Sequence, residues 1–121
     1  MSVSTDAILF YGYTFDPEDD DTGEAVTAVV EKADEDYDWS KTIGNAYGVI
    51  LGRHGSAEYP MPYLAIEESE TQAARGYPER IDPHALAWGR GLDERLRAAA
   101  EAYGLSIEGK EPSWWLVSYW G

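Results

Sequence analysis

The spacing of apolar residues changes several times along this 121-residue chain, and these changes limit the folds that the chain can adopt. Residues 7–15 form a short aromatic and aliphatic run, which predicts a strand that is apolar on both faces. Residues 47–51 and 63–66 are two similar short runs, and residues 114–120 form the last one. Four strands are therefore predicted, with a long hairpin loop at residues 52–62, where glycine and proline are frequent.

The first helix is predicted behind the first strand. Asp21 and Glu24 stand in the positions of a capping box, and apolar residues at helical spacing follow up to Ala33. Carboxylates at a helix C-terminus oppose the macrodipole, and residues 34–36 are all acidic. We therefore expect the helix to end near Ala33 and the acidic residues after it to form a loop.

A second helix is predicted in the C-terminal third of the chain. Asp82 and Pro83 are typical of an N-cap and a first helical residue, and Gly104 is typical of a helix end. Because Gly89 and Gly91 weaken the start, the alternative is a short turn followed by a helix from about Leu92. The resulting order is strand, helix, strand, strand, helix, strand. This order predicts a single α+β domain over residues 1–121, with two helices on a four-stranded antiparallel sheet in the ferredoxin-like βαββαβ arrangement.

Negative charge is concentrated towards the N-terminal end. The chain has a formal net charge of −14, and its first 38 residues hold twelve acidic side chains and a single base, Lys32. Such a field repels nucleic acid and anionic membranes, and it attracts basic protein surfaces or divalent cations. The acids form two clusters of candidate partner-binding residues: Asp16, Glu18, Asp19, Asp20 and Asp21, followed by Asp34, Glu35, Asp36 and Asp38.

Metal and cofactor sites have little support in the sequence. No cysteine is present, and His54 and His84 do not have the spacing of zinc ligands. The EF-hand pattern fails in the first acidic cluster, because a register that starts at Asp19 places Val30 at the last ligand position. A looser divalent-cation site stays open as an alternative to a solvated acidic loop, and neither a metal nor a cofactor is expected.

The N-terminal residues and the hydropathy pattern predict where the protein acts. The first residues lack the basic start and the apolar core of a signal peptide, and no apolar run approaches the roughly 20 residues that span a bilayer. The lack of cysteine suits a reducing compartment. A cytoplasmic domain is therefore expected.

Residues with catalytic potential are few. A nucleophile elbow, a phosphate-binding glycine loop and a cysteine nucleophile are all missing from the sequence. His54, together with Tyr59 and Tyr77, defines the remaining candidate pocket for a small ligand or a reaction. The competing interpretation of His54 is a hydrogen bond within a loop. We expect a protein without enzymatic activity.

The predicted C-terminal strand is rich in aromatic residues. Alternation divides them between the faces of the sheet, with Trp114 and Trp120 on one face and Trp115 and Tyr119 on the other. Helices on one side of a sheet would leave the other face uncovered. Either loops cover that face, or its aromatic patch is an interface for a homodimer or another partner.

Four segments resemble a known group of proteins. They are DAILFYGY at residues 6–13, YPMPY at 59–63, RGYP at 75–78 and PSWWLVSYWG at 112–121. Together they are similar to small acidic hypothetical proteins of bacteriophages and prophages. The resemblance implies a phage accessory protein that acts in the bacterial cytoplasm. Many such proteins bind and block host machinery, including restriction enzymes and CRISPR complexes.

The charge and the resemblance lead to a functional hypothesis. The chain is expected to be a non-enzymatic inhibitor or binding module that engages a basic surface of a host nucleic-acid-binding or defence protein, with partial mimicry of DNA. The first alternative is a homodimeric structural or assembly protein that associates through the C-terminal aromatic strand. The second alternative is a small-ligand binder or enzyme with a pocket near His54.

Overall fold

The computed structural model describes residues 5–19, 22–56, 60–74, 76–81 and 90–120. Within these ranges the chain is an α+β protein with five strands and three α-helices, so the predicted class is confirmed. The strands are β1 (Thr5–Thr14), β2 (Val49–Ser56), β3 (Pro60–Ile66), β4 (Thr71–Ala73) and β5 (Ser113–Trp120). The helices are α1 (Gly23–Glu35), α2 (Tyr37–Tyr47) and α3 (Arg90–Tyr103), and a 3₁₀ turn at Glu67–Ser69 precedes β4.

The strands form one sheet around the N-terminal strand. Their spatial order is β3-β2-β5-β1-β4, and β3 also pairs with β1. All pairs are antiparallel except β2 with β5, which run parallel and meet only at Gly55 with Tyr119 and at Ser56 with Trp120. The described chain therefore has one strand and one helix more than the four-stranded ferredoxin-like arrangement that the sequence predicts.

The acidic residues after Ala33 were expected to form a loop, and this expectation is wrong. They form the end of α1 and the start of the extra helix, α2. Asp34 and Glu35 complete the last turn of α1. Asp36 is the N-cap of α2, because its Oδ1 accepts a hydrogen bond from the Trp39 backbone N–H at 3.0 Å. Asp38 lies in the first turn of α2, where the macrodipole favours negative charge. The same acidic run that opposes the end of one helix thus stabilises the start of the next.

The loop expected between the second and third strands is also much shorter than predicted. β2 continues to Ser56 and β3 begins at Pro60, with register pairs from Val49–Ile66 to Gly55–Pro60. Glycine does not interrupt β2, since Gly52 makes room for a ring: a Cβ at this position would come within 2.4 Å of Tyr63. The glycines and prolines that indicated a loop are therefore residues of β2 and β3.

Helix α3 follows the predicted apolar face. Leu96, Ala99 and Tyr103 are buried, and Gly104 ends the helix with a φ of 85°. The predicted start at Asp82 and Pro83 lies outside the described residues.

One side chain of α3 fixes the position of α2. Arg95 donates hydrogen bonds to the carbonyl oxygens of Tyr47 at 2.7 Å and Gly48 at 2.8 Å, which stand at the C-terminal end of α2. Its guanidinium also pairs with Glu68 at 2.7 Å, and this hydrogen bond lowers the pKa of the Glu68 carboxyl. A cation at a helix C-terminus is favourable, so Arg95 holds α2, α3 and the turn before β4 together.

The two faces of the sheet bury separate apolar clusters. The larger core lies between the sheet and the helices, and from β1 it contains Tyr13. The smaller core lies on the opposite face and contains Ile8 and Phe10 of β1 with Tyr63 and Ala65 of β3. The prediction that the first strand is apolar on both faces is thus confirmed, because each face covers a core of its own.

Candidate functional site

The first acidic cluster lies in the turn between β1 and α1. Asp16, Glu18 and Asp19 are exposed. Asp16 Oδ1 accepts a hydrogen bond from the Glu18 N–H at 2.9 Å, and Asp19 Oδ1 accepts one from the Thr22 N–H at 3.1 Å. These local bonds order the turn that leads into α1. Asp20 and Asp21 lie outside the described residues.

The second acidic cluster lies at the junction of α1 and α2. Asp34, Glu35, Asp36 and Asp38 are all exposed. Asp34 forms an ion pair with Arg53 of β2, which ties this junction to the sheet. Apart from this pair and the Asp36 cap, the cluster presents its negative charge to solvent.

Helix α1 connects the two clusters through its outer face. Its 13 residues correspond to a length of about 20 Å, so the clusters stand at opposite ends of the helix. Glu24, Glu31 and Glu35 are exposed and spaced at i, i+7 and i+11, which places them along one line, while Val26 and Val29 are buried. We call the exposed acids of this surface the acidic ridge: Asp16, Glu18, Asp19, Glu24, Glu31, Asp34, Glu35, Asp36 and Asp38.

Glu24 and Glu31 are the residues of the acidic ridge that the sequence prediction missed. Their seven-residue spacing on a predicted helix was the available signal. The only base between the clusters, Lys32, is placed with its Nζ 4.1 Å from the centre of the Trp39 ring. Because a cation over an aromatic face is held in place, Lys32 is drawn towards α2.

The acids of the ridge are not gathered into a metal centre. Within the described ranges, no group of three or more histidine, aspartate or glutamate side chains is arranged to hold a metal ion. An extended row of carboxylates suits a long cationic surface better than a single ion.

The C-terminal strand places its two described tryptophans differently. Trp115 lies on the face of the smaller core, and its Nε1–H donates a hydrogen bond to the Gly12 carbonyl oxygen at 3.1 Å, although 37 % of the residue is exposed. Trp114 lies on the opposite face, and the centre of its ring is 5.5 Å from that of Tyr11. Leu116, also on that face, is 74 % exposed. The strand therefore exposes apolar surface on both faces.

The backbones of Tyr119 and Trp120 belong to β5 and pair with Asp6 and Thr5 of β1. Their side chains lie outside the described part of the structure. The sequence predicted an interface of Trp114, Trp115, Tyr119 and Trp120. Of the two whose side chains are described, Trp115 is exposed and Trp114 is partly buried.

His54 lies in β2 rather than in a loop. It is half-buried, its ring centre is 6.2 Å from that of Tyr63, and its Nε2 is a buried atom without a hydrogen-bond partner among the described residues. Tyr77, its predicted pocket neighbour, is 75 % exposed, and Tyr59 lies outside the described residues. His54 is therefore packed against the sheet core and not presented at a loop.

Tyrosine hydroxyls near the sheet are paired with carboxylates. The Tyr63 hydroxyl donates a hydrogen bond to Glu70 Oε2 at 2.9 Å, and burial raises the pKa of Tyr63 above its ordinary value. The Tyr11 hydroxyl donates to Asp93 Oδ1 at 2.6 Å, and burial followed by this bond raises the pKa of Tyr11 to about 12. Both phenols stay protonated at neutral pH, which suits a structural role and not a nucleophile or base.

The burial of His54 gives a pH dependence to stability. Burial lowers the pKa of His54 below 6.5, so as the pH falls below 6.5 the unfolded chain binds a proton at His54 before the folded chain does. The free energy of unfolding should therefore decrease between pH 6.5 and the pKa of His54 in the folded protein. Because His54 is only half-buried, solvent screens the effect, and we expect well under about 1.4 kcal/mol per pH unit.

Urea unfolding of wild type and His54→Gln at about pH 8 and about pH 5.5 measures this contribution. The wild type should lose more stability than the variant on acidification, because glutamine does not titrate. Equal losses in the two proteins would show that His54 titrates alike in the folded and unfolded chains.

Comparison with known proteins assigns no role to the acidic ridge. The chain matches no protein-family model, no curated protein and no solved structure. In the described part of the chain, no helix combines the length and apolar character needed to cross a bilayer.

Proposed function

We propose that this protein is a non-enzymatic binding module of phage origin that engages a basic surface of a host protein in the bacterial cytoplasm and inhibits it. The observation that carries the proposal is the acidic ridge, whose carboxylates are exposed at both ends and along the outer face of α1. A host nucleic-acid-binding or defence protein has the cationic surface that such a ridge attracts.

The charge density of α1 supports partial mimicry of DNA. The helix exposes four carboxylates, Glu24, Glu31, Asp34 and Glu35, over about 20 Å, or one per about 5 Å. Duplex DNA carries one phosphate charge per about 1.7 Å of axis. The helix alone thus reaches about a third of this density, and the turn at Asp16–Asp19 and the acids of α2 extend the charged surface beyond both helix ends.

The proposal is tested by removing charge from the outer face of α1. The variant Glu24→Gln, Glu31→Gln, Glu35→Gln should bind its host protein with an association rate about tenfold lower at low salt, because long-range charge mainly steers encounter. The partner is first captured from nuclease-treated bacterial lysate at about 0.05 M and about 0.5 M NaCl and purified. Surface plasmon resonance then gives the association rate.

A matched control removes the same charge elsewhere. The variant Glu94→Gln, Glu101→Gln, Glu108→Gln changes three exposed acids on and after α3 and should keep an association rate close to the wild type. A duplex DNA oligonucleotide should compete with the protein for the partner. Binding that is insensitive to salt, or equal association rates for the two triple variants, would contradict the proposal.

A second candidate function, a homodimeric assembly protein, is favoured by one observation. Leu116 and Trp115 expose apolar surface on β5, and such surface often marks an interface. Light scattering of the pure protein separates the two candidates: a dimer that Leu116→Ser dissociates supports assembly, and a monomer excludes it.

A further inference from the structure

A cleft runs between β2 and the helices α1 and α2. It consists of two adjoining parts of about 280 Å³ and about 250 Å³, which share Tyr37, Ser40 and Leu51 in their walls. From β2, all five consecutive residues 49–53 line the cleft. Consecutive strand residues point to opposite faces, so a wall made of all of them means that the cleft follows the edge of β2.

This edge of β2 has no strand beside it in the described part of the chain. On its other edge, β2 pairs with β3 along the whole register from Val49 to Gly55. On the side of the cleft, β2 pairs with β5 only at Gly55 and Ser56, and its earlier residues have no pairing with β5. Residues 51–53 therefore have one free backbone edge.

The hydrogen-bond pattern of the hairpin identifies the groups on the free edge. The Glu67 N–H donates to the Gly48 carbonyl oxygen at 3.0 Å, in line with the β2–β3 register. Antiparallel pairs alternate between hydrogen-bonded and non-hydrogen-bonded positions, so the bonded positions continue at every second residue. The β2 residues that bond to β3 are then Ile50, Gly52 and His54.

The N–H and C=O groups of Leu51 and Arg53 consequently point into the cleft, whereas the Val49 carbonyl oxygen faces Gly44 of α2, where a Cβ would come within 3.0 Å of it. Pro62 is consistent with this assignment, because it stands opposite Arg53 and has no N–H that could donate a hydrogen bond to β2. Its carbonyl oxygen instead accepts a hydrogen bond from the Phe15 N–H at 3.1 Å. A non-hydrogen-bonded position suits proline, and the alternation is therefore consistent along the hairpin.

We propose that the cleft binds an extended, basic peptide segment of a protein partner by adding it as a strand to the free edge of β2. Residues 51–53 at about 3.3 Å each give a free edge of about 10 Å, enough for a segment of about three residues. Main-chain hydrogen bonds to Leu51 and Arg53 supply affinity without a fixed sequence, as in other strand-addition complexes. The inference rests on the proposed function and names the form in which the basic partner binds.

Charge selects the occupant of the cleft. The charged side chains that line the cleft are balanced, because Asp34 is paired with Arg53, and Lys41 and Glu67 also line it. The net charge of −14 of the whole chain and the exposed acids Asp36 and Asp38 beside the cleft therefore favour a basic segment. A second copy of this chain, with a net charge of −14, would be repelled, and so would nucleic acid. Tyr37, which is 67 % exposed and lines both parts, offers an aromatic surface to a side chain of the peptide.

The test uses a fluorescein-labelled peptide, acetyl-Lys-Val-Lys-Val-Lys-Val-amide, and two variants at the free edge. Arg53→Ala removes the Asp34 ion pair but keeps the backbone N–H, whereas Arg53→Pro removes both. Proline is tolerated at an edge position whose N–H has no strand partner, so both variants should fold. Fluorescence anisotropy should show binding about tenfold weaker for Arg53→Pro than for Arg53→Ala, because one hydrogen bond is lost.

Amide hydrogen exchange measured by NMR gives the second readout. The amides of Leu51 and Arg53 should exchange faster than those of Ile50 and Gly52 in the free protein, and should become protected when the lysine peptide binds. The same peptide with glutamate in place of lysine should not bind, because the net charge of −14 of the protein repels it.

Each outcome decides the proposal. No binding of the lysine peptide to the wild type, or equal affinity of the two Arg53 variants, overturns it. If Arg53→Pro does not fold, the lysine peptide with every amide nitrogen methylated takes its place: weaker binding supports strand addition, and unchanged binding overturns it. The proposed function is judged separately, since slow association of the α1 glutamine variant with its host protein would stand even if the cleft binds no peptide.

Discussion

Gly12→Ala is expected to remove a large part of the stability of the fold. A Cβ at position 12 would stand 1.9 Å from the Leu64 carbonyl oxygen and 2.9 Å from the Ala65 Cα, which are backbone atoms of the paired strand β3. Backbone in the middle of a sheet cannot move aside as a flexible side chain can, so β1 and β3 would have to separate. We expect a loss of at least about 3 kcal/mol, a large part of the stability of a small domain.

Urea unfolding followed by circular dichroism measures this loss, and Gly91→Ala is the matched control. A Cβ at Gly91 would meet nothing within 4 Å, and the residue lies in α3, where alanine is the better helix former. The control should be as stable as the wild type or up to about 1 kcal/mol more stable. A Gly12→Ala protein that unfolds at the wild-type urea concentration would mean that β1 and β3 are not packed this closely.

Phe10→Ala should have the second largest effect, a loss of about 3–5 kcal/mol. Phe10 is fully buried, and its ring stacks on that of Tyr63 with centroids 4.3 Å apart and an interplanar angle of 16°. Among the described residues, the smaller core has four buried members, so few side chains are available to fill the cavity. The midpoint of urea unfolding should fall accordingly.

Tyr63→Phe provides the comparison within the same stacked pair. It keeps both rings and removes only the hydrogen bond to Glu70, so a loss of about 1 kcal/mol is expected. If Phe10→Ala cost no more than Tyr63→Phe, the smaller core would not contribute to stability as its burial indicates.

The parts of the fold that could be predicted are those governed by local patterns. The four long strands and the apolar face of α3 follow from apolar spacing, which tertiary contacts here reinforce. Helix α2 was missed because the carboxylates of residues 34–36 were assigned only to the end of α1, whereas Asp36 also starts a new helix. β4 has three residues and forms through its pairing with β1, so its own sequence carries little signal.

The candidate site divides in the same way. Charge counting predicted both acidic clusters, and exposure of their described members agrees with it. The line of glutamates on α1 required the helix phase as well as the composition. The cleft beside β2 depends on β2 and β5 pairing only at Gly55 and Ser56, a contact between segments about 60 residues apart, and no local pattern reports such a contact.

The position of β1 has a consequence for how this molecule is assembled. On one side, eight residues of β1 pair with β5, which lies about a hundred residues later in the sequence. On the other side, Gly12 to Thr14 pair with β3. Bringing β1 and β5 together closes a loop of about a hundred residues, and the entropy of that closure must be met before most of the sheet can form. The helices and the β2–β3 hairpin involve local contacts and can form early. We therefore expect the pairing of β1 with β5 to limit the rate of folding.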